Sequence, residues 1–133
     1  MAGTRLTLRV DFGADRALGP GKVRLLEAIR DTGSISQAGR TLGMSYRRAW
    51  LLVDDLNQCF RQPVIAAQPG GTQGGGATLT EFGQELIRDY RAIEAAATAA
   101  AEQKLNKLTA RLRGSRGRVI KPRKTSIRGR SGR

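Results

Sequence analysis

The residues of this 133-residue chain best suited to chemistry with a polyanion are the neighbouring guanidinium groups in Ser45-Tyr46-Arg47-Arg48. An Arg side chain presents a planar fork of N–H donors that matches phosphate oxygens or the O6 and N7 edge of guanine. The run follows Gly43-Met44, and the Ser45 hydroxyl is suited to capping a helix, so both Arg residues are expected in a first helical turn. Other chemistries are excluded by counting. The chain has no His, and its only thiol is Cys59. A Cys/His zinc site needs three or four ligands, and Ser-His-Asp or Cys-His catalysis needs an imidazole. A single thiol forms no disulfide within one chain, which suits a reducing compartment. The carboxylates of Asp54-Asp55 and Glu81/Glu85 fall on expected solvent faces of helices without a nucleophile–base pair beside them. No catalytic residue, metal ligand or cofactor is therefore expected, and the chain reads as a non-enzyme.

Charge points the same way as the Arg pair. The chain carries 24 Lys+Arg against 11 Asp+Glu, a formal +13 with a pI near 11.5, which favours a polyanionic partner. The excess is unevenly placed, because residues 111–133 hold ten basic residues and no acid, leaving +3 on residues 1–110. Rich in Gly and Ser and poor in large apolar residues, that tail is expected to be disordered by itself. It reads either as a solvated, solubilising segment or as an arm on nucleic-acid phosphates. No stretch reaches the roughly 18 apolar residues of a membrane span, and the first residues lack the apolar core of a signal peptide, so a cytoplasmic protein without a membrane partner is expected.

The elements that must position the Arg pair follow from periodicity. Residues 4–10 alternate, with Leu6, Leu8 and Val10 on one face and Arg5, Thr7 and Arg9 on the other, which predicts a half-buried strand. Residues 11–21 read as a connection. From Lys22, Val23, Leu26, Ala28 and Ile29 recur at helical spacing until Gly33. Ser34 then caps a short helix over residues 35–42, which exits at Gly43. The next helix runs over residues 46–60 with Ala49, Trp50, Val53, Leu56 and Phe60 as its apolar stripe. Two helices joined through Leu42-Gly43-Met44-Ser45, with a small Ala38 at their contact, form a helix-turn-helix pattern. Short strands at 64–67 and 77–79 flank a Gly-rich stretch, so a β-wing follows the second helix. No Gly-Lys-Ser/Thr closes that stretch, so a flexible wing approaching DNA phosphates fits better than a nucleotide-binding loop. A last helix opens at Thr80-Glu81-Phe82-Gly83, and its positions Phe82, Leu86, Tyr90, Ile93, Ala97, Ala101, Leu105, Leu108 and Leu112 outrun a small core. Part of that stripe is expected to pack on a second copy as a coiled coil. The fold class is thus mainly α with a small β-wing: a winged helix-turn-helix over residues 1–80, a long dimerisation helix over 81–112 and a basic tail over 113–133.

The run from Gly33-Ser34-Ile35-Ser36-Gln37-Ala38 through Gly43-Met44-Ser45-Tyr46-Arg47-Arg48-Ala49-Trp50 resembles the N-terminal domain of ModE-type molybdenum-responsive transcription regulators. The likeness continues through Gly70–Ala77 and Leu79-Thr80-Glu81-Phe82-Gly83 and spans about residues 5–105. More distantly, the sequence is similar to LysR-type winged helices. The resemblance implies a homodimer that binds double-stranded DNA at a palindromic promoter site. Sensor-bearing members of that family carry C-terminal molybdate-binding domains, whereas this sequence ends in the basic tail. A stand-alone DNA-binding form, with any signal supplied by a separate sensing partner or by cellular level, is the corresponding expectation. Gln73 stands where family members commonly carry a basic wing residue.

The residues expected at DNA are Ser34, Gln37, Ser45, Tyr46, Arg47, Arg48 and Arg61, with Gly71, Thr72, Gln73 and Gly74 in the wing. Arg47 and Arg48 lead this set, and Ser45 equally fits a pure capping role. Trp50 is expected in the core, Cys59 as a small buried hydrophobe, and Asp54-Asp55 turned from DNA. Dimerisation is assigned to Leu86, Tyr90, Ile93, Ala97, Leu105 and Leu108. The function expected is regulation of transcription by a sequence-specific dimer, in which the recognition helix and wing contact a promoter, with molybdenum-related genes as targets. The alternative is a non-specific architectural nucleic-acid-binding protein dominated by its basic tail.

Overall fold

A computed structural model of the chain describes residues 3–68 and 76–114. Its elements, in order, are strands β1 (Val10–Asp11) and β2 (Ala17–Leu18), helices α1 (Pro20–Thr32), α2 (Ile35–Thr41) and α3 (Tyr46–Cys59), strands β3 (Ile65–Gln68) and β4 (Gly76–Leu79), and helix α4 (Glu81–Ala110). Three helices, a two-stranded wing and a long terminal helix make a winged helix-turn-helix with an appended helix, as the sequence pattern predicts.

Local signals account for most of the boundaries. Pro20 opens α1, where a missing N–H costs nothing, and Gly33 closes it in the left-handed region with its N–H on the Ile29 carbonyl. Ser34, Ser45 and Thr80 cap α2, α3 and α4, each hydroxyl accepting the N–H three residues on, from Gln37, Arg48 and Gly83. Gly43 makes the turn between α2 and α3 at φ 73°, a conformation that an L side chain resists. The two helices meet where Gly39 faces Ala49, and a Cβ at Gly39 would stand 3.0 Å from the Ala49 methyl. Ala38, predicted at this contact, is fully buried beside it.

Among the described residues, the sequence pattern departs from the structure mainly before α1. Residues 4–9 form no strand, and pairing is confined to Val10↔Leu18 and Asp11↔Ala17. The in–out alternation nevertheless persists, with Leu6, Leu8 and Val10 half-buried and Arg5, Thr7 and Arg9 exposed. Helix α4 replaces the missing strand partner: Tyr90 Oη donates to the Leu8 carbonyl at 2.6 Å, and Thr4 and Thr109 share a hydroxyl hydrogen bond at 2.6 Å. The segment over 11–21 contains β2 and the first turn of α1 rather than a bare connection.

A single core collects Val23, Leu25, Leu26 and Ile29 of α1, Ala49, Val53 and Leu56 of α3, Val64, Ile65, Ala77 and Leu79 of the wing base, and Leu86, Ile87 and Tyr90 of α4. Its edge is closed by Phe12, Phe60 and Phe82, stacked edge-to-face at centroid distances of 5.8 and 5.3 Å. An ion cluster ties α4 to α1 outside the core: Arg91 donates to both carboxylate oxygens of Glu27 and, at 2.7 Å, to Glu94. Hydrogen bonds to Glu27 and then Glu94 hold the Arg91 guanidinium above its ordinary range. The first turns of α4 therefore complete the winged-helix core, so a domain boundary at residue 80 would cut through it.

Candidate nucleic-acid interface

The candidate interface is the N-terminal half of α3, which its cap and its packing hold in place. Ser45 Oγ accepts the Arg48 N–H at 3.1 Å, fixing the first turn. Ala49, Val53 and Leu56 lock the inner face into the core. Tyr46, Arg47 and Arg48 are all exposed, and the first turn of α3 contains no acidic residue. Among the described residues, neither Arg47 nor Arg48 forms an ion pair. Two fixed cations without internal carboxylate partners at the end of a rigid helix are free to bind an external anion.

The acids expected to disturb such a site are drawn away from it. Asp55 pairs with Lys22 of α1 at 3.0 Å, and Lys22 also donates to the Ala17 carbonyl. Asp54 accepts from Gln58, toward the C-terminal half of the helix. The positive charge of α3 thus lies at its start and the negative charge in its second half.

Not every predicted site residue joins this cluster. Ser34 and Gln37 open α2, where the Gln37 N–H is taken up by the Ser34 hydroxyl and the Gln37 side chain is exposed. Arg61 follows the C-terminal end of α3, about 20 Å from Arg47 by helical rise, and does not join the cluster at the start of that helix. Gly71, Thr72, Gln73 and Gly74 lie outside the described residues, as does the tail from residue 115.

The wing is nevertheless anchored to the recognition helix. Asn57 Oδ1 accepts the N–H groups of Val64 and Ile65, at 2.7 and 3.1 Å, and Asn57 Nδ2 donates to the Ile65 carbonyl. The strands pair antiparallel from Ile65↔Leu79 to Gln68↔Gly76, and the Ala77 N–H reaches the Gly33 carbonyl at the end of α1. Asn57 thus sets the wing base against α3, a role that spacing alone does not reveal because its partners lie seven and eight residues away across a turn.

Three expectations need correction. Trp50 is not a core residue: 45% of its surface is exposed, together with 57% for Tyr46 and 49% for Leu51. At about 100° per residue, Trp50 stands roughly 90° from the Ala49–Val53–Leu56 centre and Leu51 almost opposite it. Cys59 is half-buried rather than fully enclosed, since it ends α3 beside the solvent-facing Arg16 and Gln58. Of the positions assigned to dimerisation, Leu86 (8% exposed) and Tyr90 (1%) are consumed by the chain's own core and offer no surface to a second copy. Ile93 and Leu108 are exposed, and Ala97 and Leu105 are half-buried.

Residues 21–84, from α1 through the cap of α4, match the model of the bacterial regulatory helix-turn-helix proteins of the LysR family. The chain carries a LysR-type helix-turn-helix domain. In sequence this domain is ModE-like. The chain is 36% identical over 114 residues to the molybdenum transport protein ModE of Azotobacter vinelandii, covering 82% of this chain and 42% of that protein. It is 48% identical over 88 residues to the molybdenum-pterin-binding protein MopA of Rhodobacter capsulatus, covering 66% of this chain and 33% of MopA. With the DNA-binding transcriptional dual regulator ModE of Escherichia coli K12 it shares 41% identity over 71 residues, 53% of this chain and 27% of that protein. The chain thus spans less than half the length of these relatives. Among the described residues, no helix of this ModE-like chain is long and apolar enough to cross a membrane.

Proposed function

We propose that this chain is a DNA-binding regulator of transcription that reads a promoter through the first turn of α3, with the wing on the adjacent backbone. The observation that carries the reading is the unpaired, exposed Arg47–Arg48 couple on a capped helix of a helix-turn-helix domain. In that motif the second helix enters the major groove and its N-terminal residues face base edges. The names of the relatives point to genes of molybdenum handling as targets. The active form is a homodimer on a two-fold-symmetric site. Helix α4 supports this assembly, because its apolar positions Ile93 and Leu108 remain exposed beyond the part that the chain's own core covers. A separate partner supplies any signal.

Selection of bound sequences from random DNA, with and without molybdate, tests the reading. A preferred palindrome with half-sites about one helical turn apart is expected. Uniform binding to all sequences, lost on deletion of residues 111–133, would instead make the chain an architectural protein driven by its tail.

A further inference from the structure

The outward face of α3 carries an apolar surface that neither the core nor the charge pattern explains. Trp50 and Leu51 are 45% and 49% exposed on a helix whose inner face already has a full complement of buried residues. Around the helix, Arg47 lies between them, about 60° from Trp50 and about 40° from Leu51. A protein partner covering this face would have to bury Arg47 as well, and would need to bring a carboxylate to it. A DNA major groove supplies both halves of the match: guanine O6 and N7 for the guanidinium, and the thymine C5 methyl, the one apolar group on that edge. We propose that Trp50 and Leu51 are specificity-determining residues that take up thymine methyl groups on either side of the base read by Arg47. The inference rests on the regulator reading above and gives its site a sequence class: a guanine-containing step flanked by thymines.

The test uses the full chain and the site obtained by selection. Each thymine of a half-site is replaced singly by deoxyuridine, which removes only the C5 methyl, and affinity is measured by fluorescence anisotropy at fixed salt. Two positions are expected to lose about fourfold in affinity, the scale of one buried methyl. Leu51→Ala should abolish the sensitivity at one of them and Trp50→Ala at the other, with binding to a random duplex unchanged. Both side chains are exposed, and a melting curve for each variant verifies the fold. Should Trp50→Ala fail to fold, Leu51→Ala alone decides. A preferred site indifferent to deoxyuridine, or sensitivity that survives both substitutions, overturns the inference while leaving the regulator reading intact. A change in oligomeric mass in either variant, with methyl sensitivity retained, makes the face a protein interface and overturns it too. Absence of any preferred sequence overturns both.

Discussion

Replacing Gly83 by Ala isolates the contact that fixes α4 on the winged helix. A Cβ at Gly83 would run into the Val64 carbonyl oxygen and press on the Val64 side chain. That carbonyl is not free to retreat: it accepts the Thr80 N–H at 3.0 Å, while the Thr80 hydroxyl, which donates to the neighbouring Pro63 carbonyl at 2.7 Å, accepts the Gly83 N–H at 2.9 Å. Relief requires the start of α4 to withdraw from the wing base, which strains the packing by about 1–3 kcal/mol and weakens hydrogen bonds each worth about 1 kcal/mol. Ala gains about 1 kcal/mol in intrinsic helix preference, which offsets part of the cost. The net loss should be about 1–3 kcal/mol, or a Tm lower by roughly 5–20 °C for a domain of this size. Thermal and urea unfolding followed by circular dichroism measure it. Gly21→Ala is the control, since a Cβ at that helical position meets nothing within 4 Å and should leave stability unchanged or slightly raised. If Gly83→Ala melts at or above the parent temperature, the close approach of α4 to the Val64 carbonyl is refuted.

Asn57→Ala leaves the Val64 and Ile65 N–H groups without their acceptor, and should cost about 2–3 kcal/mol in urea unfolding. Tyr90 is held neutral by burial first and by Glu94 second, which raise its hydroxyl above the usual value of 10.0. Its unfolded form ionises at lower pH than its folded form, so this stabilisation is complete below about pH 10 and is lost as pH rises beyond. Tyr90→Phe should flatten that alkaline decline, visible in melts from pH 8 upward, and cost about 1 kcal/mol at neutral pH through the lost bond to Leu8. For the DNA site, Arg47→Ala should cost about 1–3 kcal/mol of binding to the selected site and relax one position, while a phosphate-bound Arg48 replaced by Ala should weaken all duplexes alike and lower the salt slope by about 0.9. Equal, sequence-independent losses in both variants would show that neither Arg reads a base.

The sequence by itself determined the order of the four helices and the wing strands and most of their ends, because those depend on neighbours in the chain; the short pairing of β1 with β2 it did not announce. Ser34, Ser45 and Thr80 announce helix starts, Gly33 and Gly43 announce stops, and the Arg47–Arg48 couple is exposed because the first turn of α3 has no apolar residue facing inward before Ala49. Tertiary structure alone decided which apolar positions each stripe spends on the core. Trp50 and Ala49 are adjacent in sequence, yet a difference of about 100° around the helix places one in solvent and the other against Gly39. Leu86, Tyr90, Ile93 and Leu108 belong to one uninterrupted stripe, but the core encloses only Leu86 and Tyr90, and residues 4–8, which run along α4 as far as Thr109, leave Ile93 and Leu108 exposed. Residues 4–9 alternate like a strand and bury their apolar face without becoming one, because α4 lies beside them and a helix has no spare backbone donors for a ladder. Periodicity fixes the direction in which a side chain points; only packing in three dimensions fixes whether something meets it there.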